Sequence, residues 1–336
     1  MKKKITISFF TRKPIKNYHF SIENFYKELL NFKEKKIEII QKELPFESKG
    51  ILKRVYLIIW SFFNQENINH ISGDINFINF FLNKKKNILT ILDLYSLKRL
   101  RGLKRFIYKL IWLEIPIRRS SKIITISENI KKELCKNFIL KKNIIEVIPC
   151  SISKIFKINK KKLNLKNPHI LFIGTAENKN LIRAIKVLKN LNVKITIIGK
   201  LKEEHLKLLS KNKIRYQNFI NQSQKQIYSH YVKSDILFYP SIYEGFGIPI
   251  LEAQAVGRLV ITSTFLKETA GKGAIYVNPL NVNDMRNKIV LLIRSRKKIK
   301  FIINEGFKNL KKYKLHNIRK KYIKVYKSFY EDFNYY

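Results

Sequence analysis

Short apolar runs alternate with longer stretches of helical periodicity along most of this chain. Runs such as ILFI at 170–173 and ITII at 195–198 are apolar without interruption, which is typical of strands buried on both faces of a parallel sheet. Their alternation with helical stretches predicts βαβ units in two series. The predicted strands are Ile5–Phe9, Lys36–Ile40, Ile68–Ile71, Ile88–Leu92, Lys122–Ile126 and Ile145–Ile148, then His169–Ile173, Lys194–Ile198, Asp235–Tyr239, Leu259–Thr262 and Ala274–Val277.

A polar, basic stretch separates the two series. Residues 153–168 read SKIFKINKKKLNLKNP and end at Pro168. A chain of 336 residues is also longer than one hydrophobic core usually serves. We therefore predict an α/β protein with Rossmann-like domains at 1–155 and 156–316 and a C-terminal helix at 317–336. An apolar stripe predicts that this helix packs on a core; its members are Ile318, Tyr322, Val325, Phe329 and Phe333.

The net charge is extreme, at +45 from 69 Lys and Arg against 24 Asp and Glu. Such a field attracts phosphates, nucleic acid or an anionic membrane face; the alternative is that lysine simply fills solvated surfaces. Two cysteines, Cys135 and Cys150, make no disulfide framework and favour a reducing cytosol. The start, MKKKITISFF, predicts a strand rather than a signal peptide. The longest apolar run, Val55–Phe63, is too short to span a membrane. We expect a cytoplasmic protein.

The segment DILFYPSIYEGFGIPILEAQAVG at 235–257 carries the first candidate site. A buried strand ends before a loop with two glycines, and a helix begins near Pro249. The glycines let the backbone approach a ligand, and the helix N-terminus favours anions. Glu244 and Glu252 would then lie at the carboxyl end of a parallel strand, where open α/β sheets bind ligands. An ordinary strand–turn–helix, with Glu252 as a dipole partner, explains the spacing equally well.

A second segment, ILFIGTAENKNLIRAIKVL at 170–188, combines a glycine turn, a lysine and a helix N-terminus. These three features together can hold a phosphate. The segment is neither a Walker A loop nor GxGxxG. Taken alone it is a weak signal, and the alternative is an ordinary loop between a strand and a helix.

The two segments together resemble the retaining glycosyltransferases of the GT-B fold, family 4 type, which are the group 1 glycosyltransferases, and within them the mannosyltransferase-like subset. Glu244 and Glu252 match that family's E-x7-E motif, and IGTAENKN resembles its donor-phosphate loop, G-T-x-x-x-K-N. Supporting matches, which extend the resemblance over nearly the whole chain, are RKPIKNYHFSIENF near the start, NHISGDINF at 69–77, KIITISENIKKEL at 122–134 and VIPCSISKIF at 147–156. The resemblance implies two Rossmann-like domains facing each other across a cleft, with the C-terminal helix crossing back to the first domain.

The resemblance also implies a role for individual residues. Glu244, the catalytic candidate, would hold the donor sugar's hydroxyls near the reacting carbon, Glu252 would bind the ribose hydroxyls, and Lys179 would stabilise the diphosphate. Gly199-Lys200 and Phe219-Ile220 would flank the base. The donor-binding set is Gly174, Thr175, Lys179, Asn180, Gly199, Lys200, Ile220, Gly245, Phe246, Gly247, Ile248 and Glu252.

The expected donor is a GDP- or UDP-linked hexose, and the expected acceptor is a glycan or a lipid-linked saccharide of cell-surface polysaccharide synthesis. No cofactor is expected. No metal is expected either, because fixed cations, amides and a helix dipole can stabilise the leaving phosphate, no DxD motif is evident, and the six histidines lack ligand spacing.

The chain departs from the family pattern on the acceptor side. Many members have a His-Asp pair after the fourth strand, where this chain has Leu92 and Asp93. Many also have a glycine-rich loop after the first strand, where Arg12 and Lys13 stand and could meet an acceptor or a phosphate. With Asp74, these residues are the acceptor-side candidates: Arg12, Lys13, Asp74 and Asp93.

Residues 98–111, KRLRGLKRFIYKLI, predict an amphipathic basic helix. Its cations Lys98, Arg101, Arg105 and Lys109 can rest on anionic headgroups, and its apolar side consists of Leu100, Leu103, Ile107 and Leu110. The alternative is that the apolar side packs on the first domain.

Two other functions compete with the glycosyltransferase prediction. A nucleic-acid-binding protein fits the charge and the aromatic content, but it predicts base-stacking aromatics on a solvent-facing sheet, which the buried-strand pattern disfavours. A catalytically inactive relative that binds a partner is favoured only by Leu92. No nucleic-acid partner is expected.

Overall fold

The chain forms two six-stranded sheets in which every pair of neighbouring strands is parallel. The computed structural model describes residues 4–14, 21–31, 34–293 and 296–334; residues 15–20 of the segment RKPIKNYHFSIENF therefore lie outside the described ranges. The strands are β1 (Ile5–Thr11), β2 (Ile37–Glu43), β3 (Ile68–Ile71), β4 (Asn87–Ile91), β5 (Lys122–Thr125), β6 (Ile145–Val147), β7 (His169–Ile173), β8 (Lys194–Ile198), β9 (Tyr216–Phe219), β10 (Ile236–Tyr239), β11 (Leu259–Ser263) and β12 (Ile275–Val277).

Helices connect the strands in both sheets, as parallel pairing requires. The α-helices are α1 (Ser21–Leu30), α2 (Ile51–Phe63), α3 (Tyr95–Arg99), α4 (Gly102–Tyr108), α5 (Ile115–Arg118), α6 (Glu128–Asn137), α7 (Leu181–Leu188), α8 (Glu203–Lys211), α9 (Gln224–Lys233), α10 (Ile248–Val256), α11 (Lys267–Ala270), α12 (Val282–Ile293), α13 (Arg296–Asn309) and α14 (Leu315–Asn334). A π-helical turn, Lys109–Glu114, joins α4 to α5. Short 3₁₀ turns cover Asn76–Phe80, Lys84–Lys86, Lys142–Ile144, Glu177–Lys179, Thr264–Leu266 and Leu310–Tyr313.

The eleven predicted strands are all present, and one further strand, β9, was missed. Its sequence YQNF is polar and lies at the edge of the second sheet, with three of its four residues exposed. An edge strand buries little apolar surface, so the pattern that marks interior strands is absent from it.

The chain divides into two compact units at Cys150/Ser151 and again at Lys314/Leu315. The first unit holds the sheet in the order β2-β1-β3-β4-β5-β6, and the second holds the order β12-β11-β10-β7-β8-β9. The predicted domain limits were 155 and 316. The stretch predicted as a linker lies against the second unit, where Asp235 pairs with Lys161 at 2.9 Å and accepts a hydrogen bond from the backbone N–H of Asn164.

Helix α14, although last in the chain, belongs to the first unit. Its predicted apolar stripe is buried from Ile318 to Phe329, while the side chain of Phe333 lies outside those described. The hydroxyl of Tyr326 lies 2.7 Å from Nδ1 of His70, whose Nε2 lies 2.7 Å from Thr90 Oγ1. Burial lowers the pKa of His70 to about 3, so this histidine is neutral and structural.

The second sheet is covered on both faces, which places its binding loops at the strand ends. Along β10, Ile236 and Phe238 face one apolar cluster, and Leu237 and Tyr239 face the other. This alternation is the two-residue period of a strand. Helices α9 and α10 supply the cluster on the Tyr239 side. The loops that follow β7 and β10 therefore leave the sheet at its carboxyl edge.

Candidate functional site

The loops that follow β7 and β10 are fastened to each other. The backbone N–H of Ile242 donates to the carbonyl of Asn178 at 2.8 Å, and Asn178 Nδ2 donates to the carbonyl of Tyr243 at 2.9 Å. Asn180, at a φ of 66°, donates through Nδ2 to the carbonyl of Pro240 at 3.0 Å. The two segments predicted to form a site, about 65 residues apart in sequence, are thus adjacent.

Lys179 bridges these loops and contacts the predicted catalytic carboxylate. Its Nζ lies 2.6 Å from Oε1 of Glu244 and 2.8 Å from the hydroxyl of Tyr239, and it sits 5.0 Å from the centre of the Tyr239 ring. Gly174 makes this path possible, because a β-carbon there would lie 2.9 Å from Cε of Lys179. The side chains of Lys179 and Glu244 keep 21% and 11% of their surface exposed, so the ion pair is shielded but can be reached by a ligand.

Tyr239 is a member of this cluster that sequence reasoning missed. Burial is the main cause that raises its pKa well above the ordinary value, followed by the charge of Glu244 and a hydrogen bond to it. The hydroxyl therefore stays protonated and can accept from Lys179 while donating to Glu244. In the sequence, Tyr239 reads only as the last residue of an apolar strand; its place at the carboxyl end was the available signal.

The EGFG loop leads into the N-terminus of α10. Gly247 caps the helix at a φ of 93°, and a β-carbon there would lie 3.2 Å from Ile250 and 3.3 Å from Leu266. The preceding Phe246 is buried, with its ring edge-on to Tyr313 at 5.6 Å. Only glycine combines this backbone with so little space. The geometry holds the first N–H groups of α10, beginning at Ile248, beside the loop that carries Glu244 and Gly245, where they favour an anion.

Glu252 lies one turn further along α10 and is almost fully buried. Its Oε2 accepts a hydrogen bond from the Tyr231 hydroxyl at 2.9 Å. Burial raises the pKa of Glu252 to about 7, and the bond from Tyr231 opposes part of that rise. Tyr231 lies on α9 and was not predicted as a site residue, because nothing in the sequence connects α9 to α10.

The raised pKa of Glu252 predicts a pH-dependent stability. The folded chain holds this proton up to about pH 7, whereas an ordinary glutamate has a pKa of 4.5. The folded state is therefore favoured at low pH, and this advantage is lost as the pH rises from 4.5 through about 7. Relative to Glu252→Gln, the free energy of unfolding of the wild type should fall by on the order of 3 kcal/mol over that range. Urea titrations of both proteins at several pH values measure the difference in their free energies of unfolding. A difference that does not change with pH would refute the prediction.

The residues predicted to flank the base lie together at the ends of β8 and β9. The hydroxyl of Thr175 donates to the carbonyl of Lys200 at 2.7 Å. Gly199 has a φ of 134°, and a β-carbon there would lie 2.9 Å from Cγ2 of Thr175. The N–H of Gly199 donates to the carbonyl of Phe219 at 2.8 Å, and Ile220, next along the chain, is half exposed. These contacts bring Gly174-Thr175, Gly199-Lys200 and Ile220 to one edge of the sheet.

The acceptor-side candidates lie in the first unit, where two of them are paired. Arg12 lies 2.7 Å from Asp74 and 2.7 Å from Glu23. Lys13 donates to the carbonyl of Pro45 at 2.8 Å. Arg12 thus holds the turn at Asp74, which adopts a φ of 60°.

Asp74 and Asp93 line one cavity of about 290 Å³. Leu92, at the family's usual histidine position, also lines it and fits under Gly73, where a β-carbon would lie 2.8 Å from its Cγ. The remaining walls include Tyr108 and Trp112, which stack at 6.0 Å. The cavity therefore presents carboxylates and aromatic rings. Neither in this cavity nor elsewhere along the described ranges is a group of three or more His, Cys, Asp and Glu side chains arranged to hold a metal ion.

Comparison with known proteins shows that the part of the chain that carries this site is similar to a known sequence family. Residues 153–309 match the family model described as "Glycosyl transferases group 1". The chain is 28% identical over 239 residues to the uncharacterized glycosyltransferase MJ1607 of Methanocaldococcus jannaschii, covering 62% of this chain and 60% of that protein. It is 31% identical over 179 residues to the O-antigen chain mannosyltransferase RfbU of Salmonella typhimurium, covering 50% and 49%. The chain thus spans about half to three fifths of the length of these curated relatives.

Solved structures extend the likeness to the whole fold. The Anabaena protein HepE, in complex with UDP and glucose, superposes with a TM-score of 0.75 at 11% identity, covering 96% of this chain and all of that one. The predicted resemblance to the group 1 glycosyltransferases and the predicted GT-B fold, with its Rossmann-like units, are confirmed.

Proposed function

We propose that this chain, whose second unit carries the group 1 glycosyltransferase domain, is a retaining, metal-independent hexosyltransferase. It moves a hexose from a GDP- or UDP-linked donor to a glycan or lipid-linked acceptor in cell-surface polysaccharide synthesis. The observation that carries the proposal is the contact of Lys179 Nζ with Glu244 Oε1 at 2.6 Å. The contact unites the cation that a leaving diphosphate needs with the carboxylate that a donor sugar needs.

The chemistry follows from charge that develops as the glycosyl–phosphate bond breaks. The sugar becomes oxocarbenium-like, and negative charge grows on the departing diphosphate. Lys179 and the N–H groups that begin α10 stabilise that charge in place of a metal. Glu244 accepts hydrogen bonds from sugar hydroxyls, and Glu252 accepts them from the ribose. The acceptor hydroxyl attacks the anomeric carbon from the face that the diphosphate leaves, and its proton passes to the departing phosphate oxygen.

When the donor binds, its diphosphate must replace Glu244 as the partner of Lys179. In the free chain the ammonium group of Lys179 pairs with Glu244 and donates a second hydrogen bond to the hydroxyl of Tyr239. A diphosphate competes with Glu244 for that cation, and the released carboxylate then becomes available to sugar hydroxyls. Phosphate binding to Lys179 therefore precedes sugar binding to Glu244, because Glu244 is released from Lys179 only when the diphosphate is bound.

The relatives favour a hexose and a surface polysaccharide. RfbU bears the name of an O-antigen chain mannosyltransferase, and HepE was solved with UDP and glucose. These names support a neutral sugar donor for this chain, with GDP and UDP as the nucleotides to try first. The acceptor is assigned to the first unit, where the cavity lined by Asp74 and Asp93 offers carboxylates for hydroxyls and rings for a sugar face.

A lipid-linked acceptor would account for the charge of the chain. The single basic helix predicted at residues 98–111 is wrong in its continuity: Leu100 and Arg101 are extended and separate α3, which carries Lys98, from α4 and the π-helical turn that follows it. We assign the protein to the cytoplasmic face of an anionic membrane, with no nucleic-acid partner. Within the described ranges, the helices are all too short or too polar to cross a bilayer.

Donor turnover tests the proposal. Release of nucleoside diphosphate from GDP-mannose, UDP-glucose and other NDP-hexoses should proceed equally with EDTA and with added Mg²⁺, and NMR of a transferred product should show the donor's anomeric configuration. A rate that disappears in EDTA would overturn metal independence, and an inverted product would overturn retention. Absence of turnover with every NDP-hexose would overturn the enzyme assignment.

A further inference from the structure

Helix α2 in the first unit exposes its apolar side. The helix reads ILKRVYLIIWSFF, and the residues on one side of it, spanning about 140° at 100° per residue, are all apolar and exposed. Ile51, Leu52 and Phe63 keep 77%, 86% and 78% of their surface. On the inward side, Leu57 and Ser61 are the buried residues, and Trp60 packs edge-on to Phe10 at 6.3 Å. The complete exposed set, here called the α2 face, is Ile51, Leu52, Val55, Tyr56, Ile59, Phe62 and Phe63.

Helix α4 also exposes apolar side chains to solvent. The sequence left open whether the apolar side of the predicted basic helix packs on the first domain, and the burial of α4 answers this. It buries none of its residues. Leu103 and Phe106 are 72% and 63% exposed, so the apolar side does not pack on the first domain. The guanidinium of Arg54 on α2 lies over the ring of Trp112, just beyond α4, at 4.7 Å. The two helices are therefore neighbours on one unit.

Cations surround these apolar side chains. Residues 98–113 contain six Lys and Arg and no Asp or Glu. Lys53 near the start of α2 is exposed, and Lys49, just before the helix, is paired with Glu47 at 2.6 Å. An apolar helix face bordered by cations matches the interface of a bilayer with anionic lipids, where acyl chains lie directly beneath phosphate groups.

We infer that α2 is a membrane anchor, which lies in the plane of an anionic bilayer with the α2 face inserted and the cations around α4 on the lipid phosphates. At 13 residues, α2 is about 20 Å long, too short for a hydrocarbon core of about 30 Å, so it lies along the surface instead of crossing. A second copy of the chain is the weaker occupant, because two surfaces this basic repel each other. The inference rests on the proposed function in one respect: a lipid-linked acceptor is the reason for this enzyme to bind a membrane.

Vesicle co-sedimentation of the full chain tests the anchor. Vesicles with about 30 mol% phosphatidylglycerol in phosphatidylcholine should bind the wild type, and phosphatidylcholine alone should bind it far less. Leu52→Ser and Phe63→Ser should each weaken binding about tenfold. Raising salt from about 0.1 to about 0.5 M should release the double variant Leu52→Ser/Phe63→Ser from the vesicles but leave a measurable bound fraction of the wild type, since insertion is not screened.

Matched controls separate the anchor from general effects of exposed apolar residues. Leu291 and Phe301 in the second unit are 64% and 58% exposed, and their change to Ser should leave binding unchanged. The pair Arg101→Glu and Lys104→Glu should remove the preference for anionic vesicles. Wild-type-like binding by Leu52→Ser/Phe63→Ser would overturn the anchor. The anchor would also be overturned if light scattering showed that the wild type is a dimer and that this double variant is a monomer.

Thermal shift with nucleoside diphosphates separates failure of the anchor from failure of the proposed function. The donor loops lie in the second unit and the anchor in the first. The double variant should therefore keep the wild-type nucleotide shift. If the wild type binds vesicles but no nucleotide stabilises it, the anchor is supported and the donor site is overturned. If a nucleotide stabilises it but it does not bind vesicles, the donor site is supported and the anchor is overturned.

Discussion

Replacing Glu244 with glutamine should lower donor turnover about 100- to 1000-fold while leaving the affinity for the nucleoside diphosphate equal or higher. The loss follows from removing a charged acceptor that holds the donor sugar in the transition state, a contribution of about 3–4 kcal/mol. The retained affinity follows from the ion pair, because Lys179 without Glu244 at 2.6 Å has its charge available for phosphate. Steady-state kinetics and calorimetry with the diphosphate measure the two quantities separately.

Glu203→Gln is the matched control for this experiment. Glu203 lies on α8 in the same unit with 79% of its side chain exposed, and its change should alter neither quantity. Normal turnover by Glu244→Gln would refute the catalytic role. A diphosphate affinity that falls together with turnover would refute the competition between Glu244 and phosphate for Lys179.

Replacing Lys179 with alanine should weaken diphosphate binding by about 30- to 1000-fold, because a buried charge pair with phosphate contributes about 2–4 kcal/mol. The same change should also destabilise the fold, since Glu244 would be left 11% exposed without its cation. We expect a loss of roughly 1–3 kcal/mol in the free energy of unfolding. Calorimetry gives the first effect and urea denaturation the second.

A double-variant cycle separates the two effects. Lys179→Ala combined with Glu244→Gln should recover most of the stability, because no unpaired carboxylate remains, but none of the diphosphate affinity. Lys207→Ala serves as the control, because Lys207 is a 75% exposed lysine on α8 in the same unit; its change should leave both the stability and the diphosphate affinity near the wild-type values. Additive stability losses in the double variant would show that the two groups do not interact.

The sequence predicted the parts of the fold that carry strong periodicity. Continuous apolar runs such as β7, β8 and β10 are buried on both faces, so their pattern alone distinguishes them from helices and loops. The polar edge strand β9 has no such pattern and was missed. The same limit applied to residues 98–111, where the sequence predicted one amphipathic helix. The chain is extended at Leu100 and Arg101 instead, and the spacing could not say whether the apolar side met protein or solvent.

The sequence predicted the Lys and Glu residues of the candidate site but missed the two tyrosines that hydrogen-bond to them. Lys179 and Glu244 belong to short local motifs, so a resemblance can identify them. Tyr239 and Tyr231 act through contacts with residues 60 and 21 positions away, and no local pattern encodes such pairings. Leu92, the one feature that favours an inactive relative, lines a cavity in the first unit and leaves the Lys179–Glu244–Tyr239 cluster in the second unit complete.

The central claim, a nucleoside-diphosphate site built around Lys179, is tested most directly by thermal unfolding with GDP, UDP, dTDP and ADP, without metal. At a concentration about 100 times its dissociation constant, the cognate nucleotide should add about 2.7 kcal/mol of stability. We expect one of the four to raise the melting temperature of the wild type by several degrees and to raise that of Lys179→Ala by at most about a third as much. A wild-type melting temperature that none of the four nucleotides changes would contradict the account.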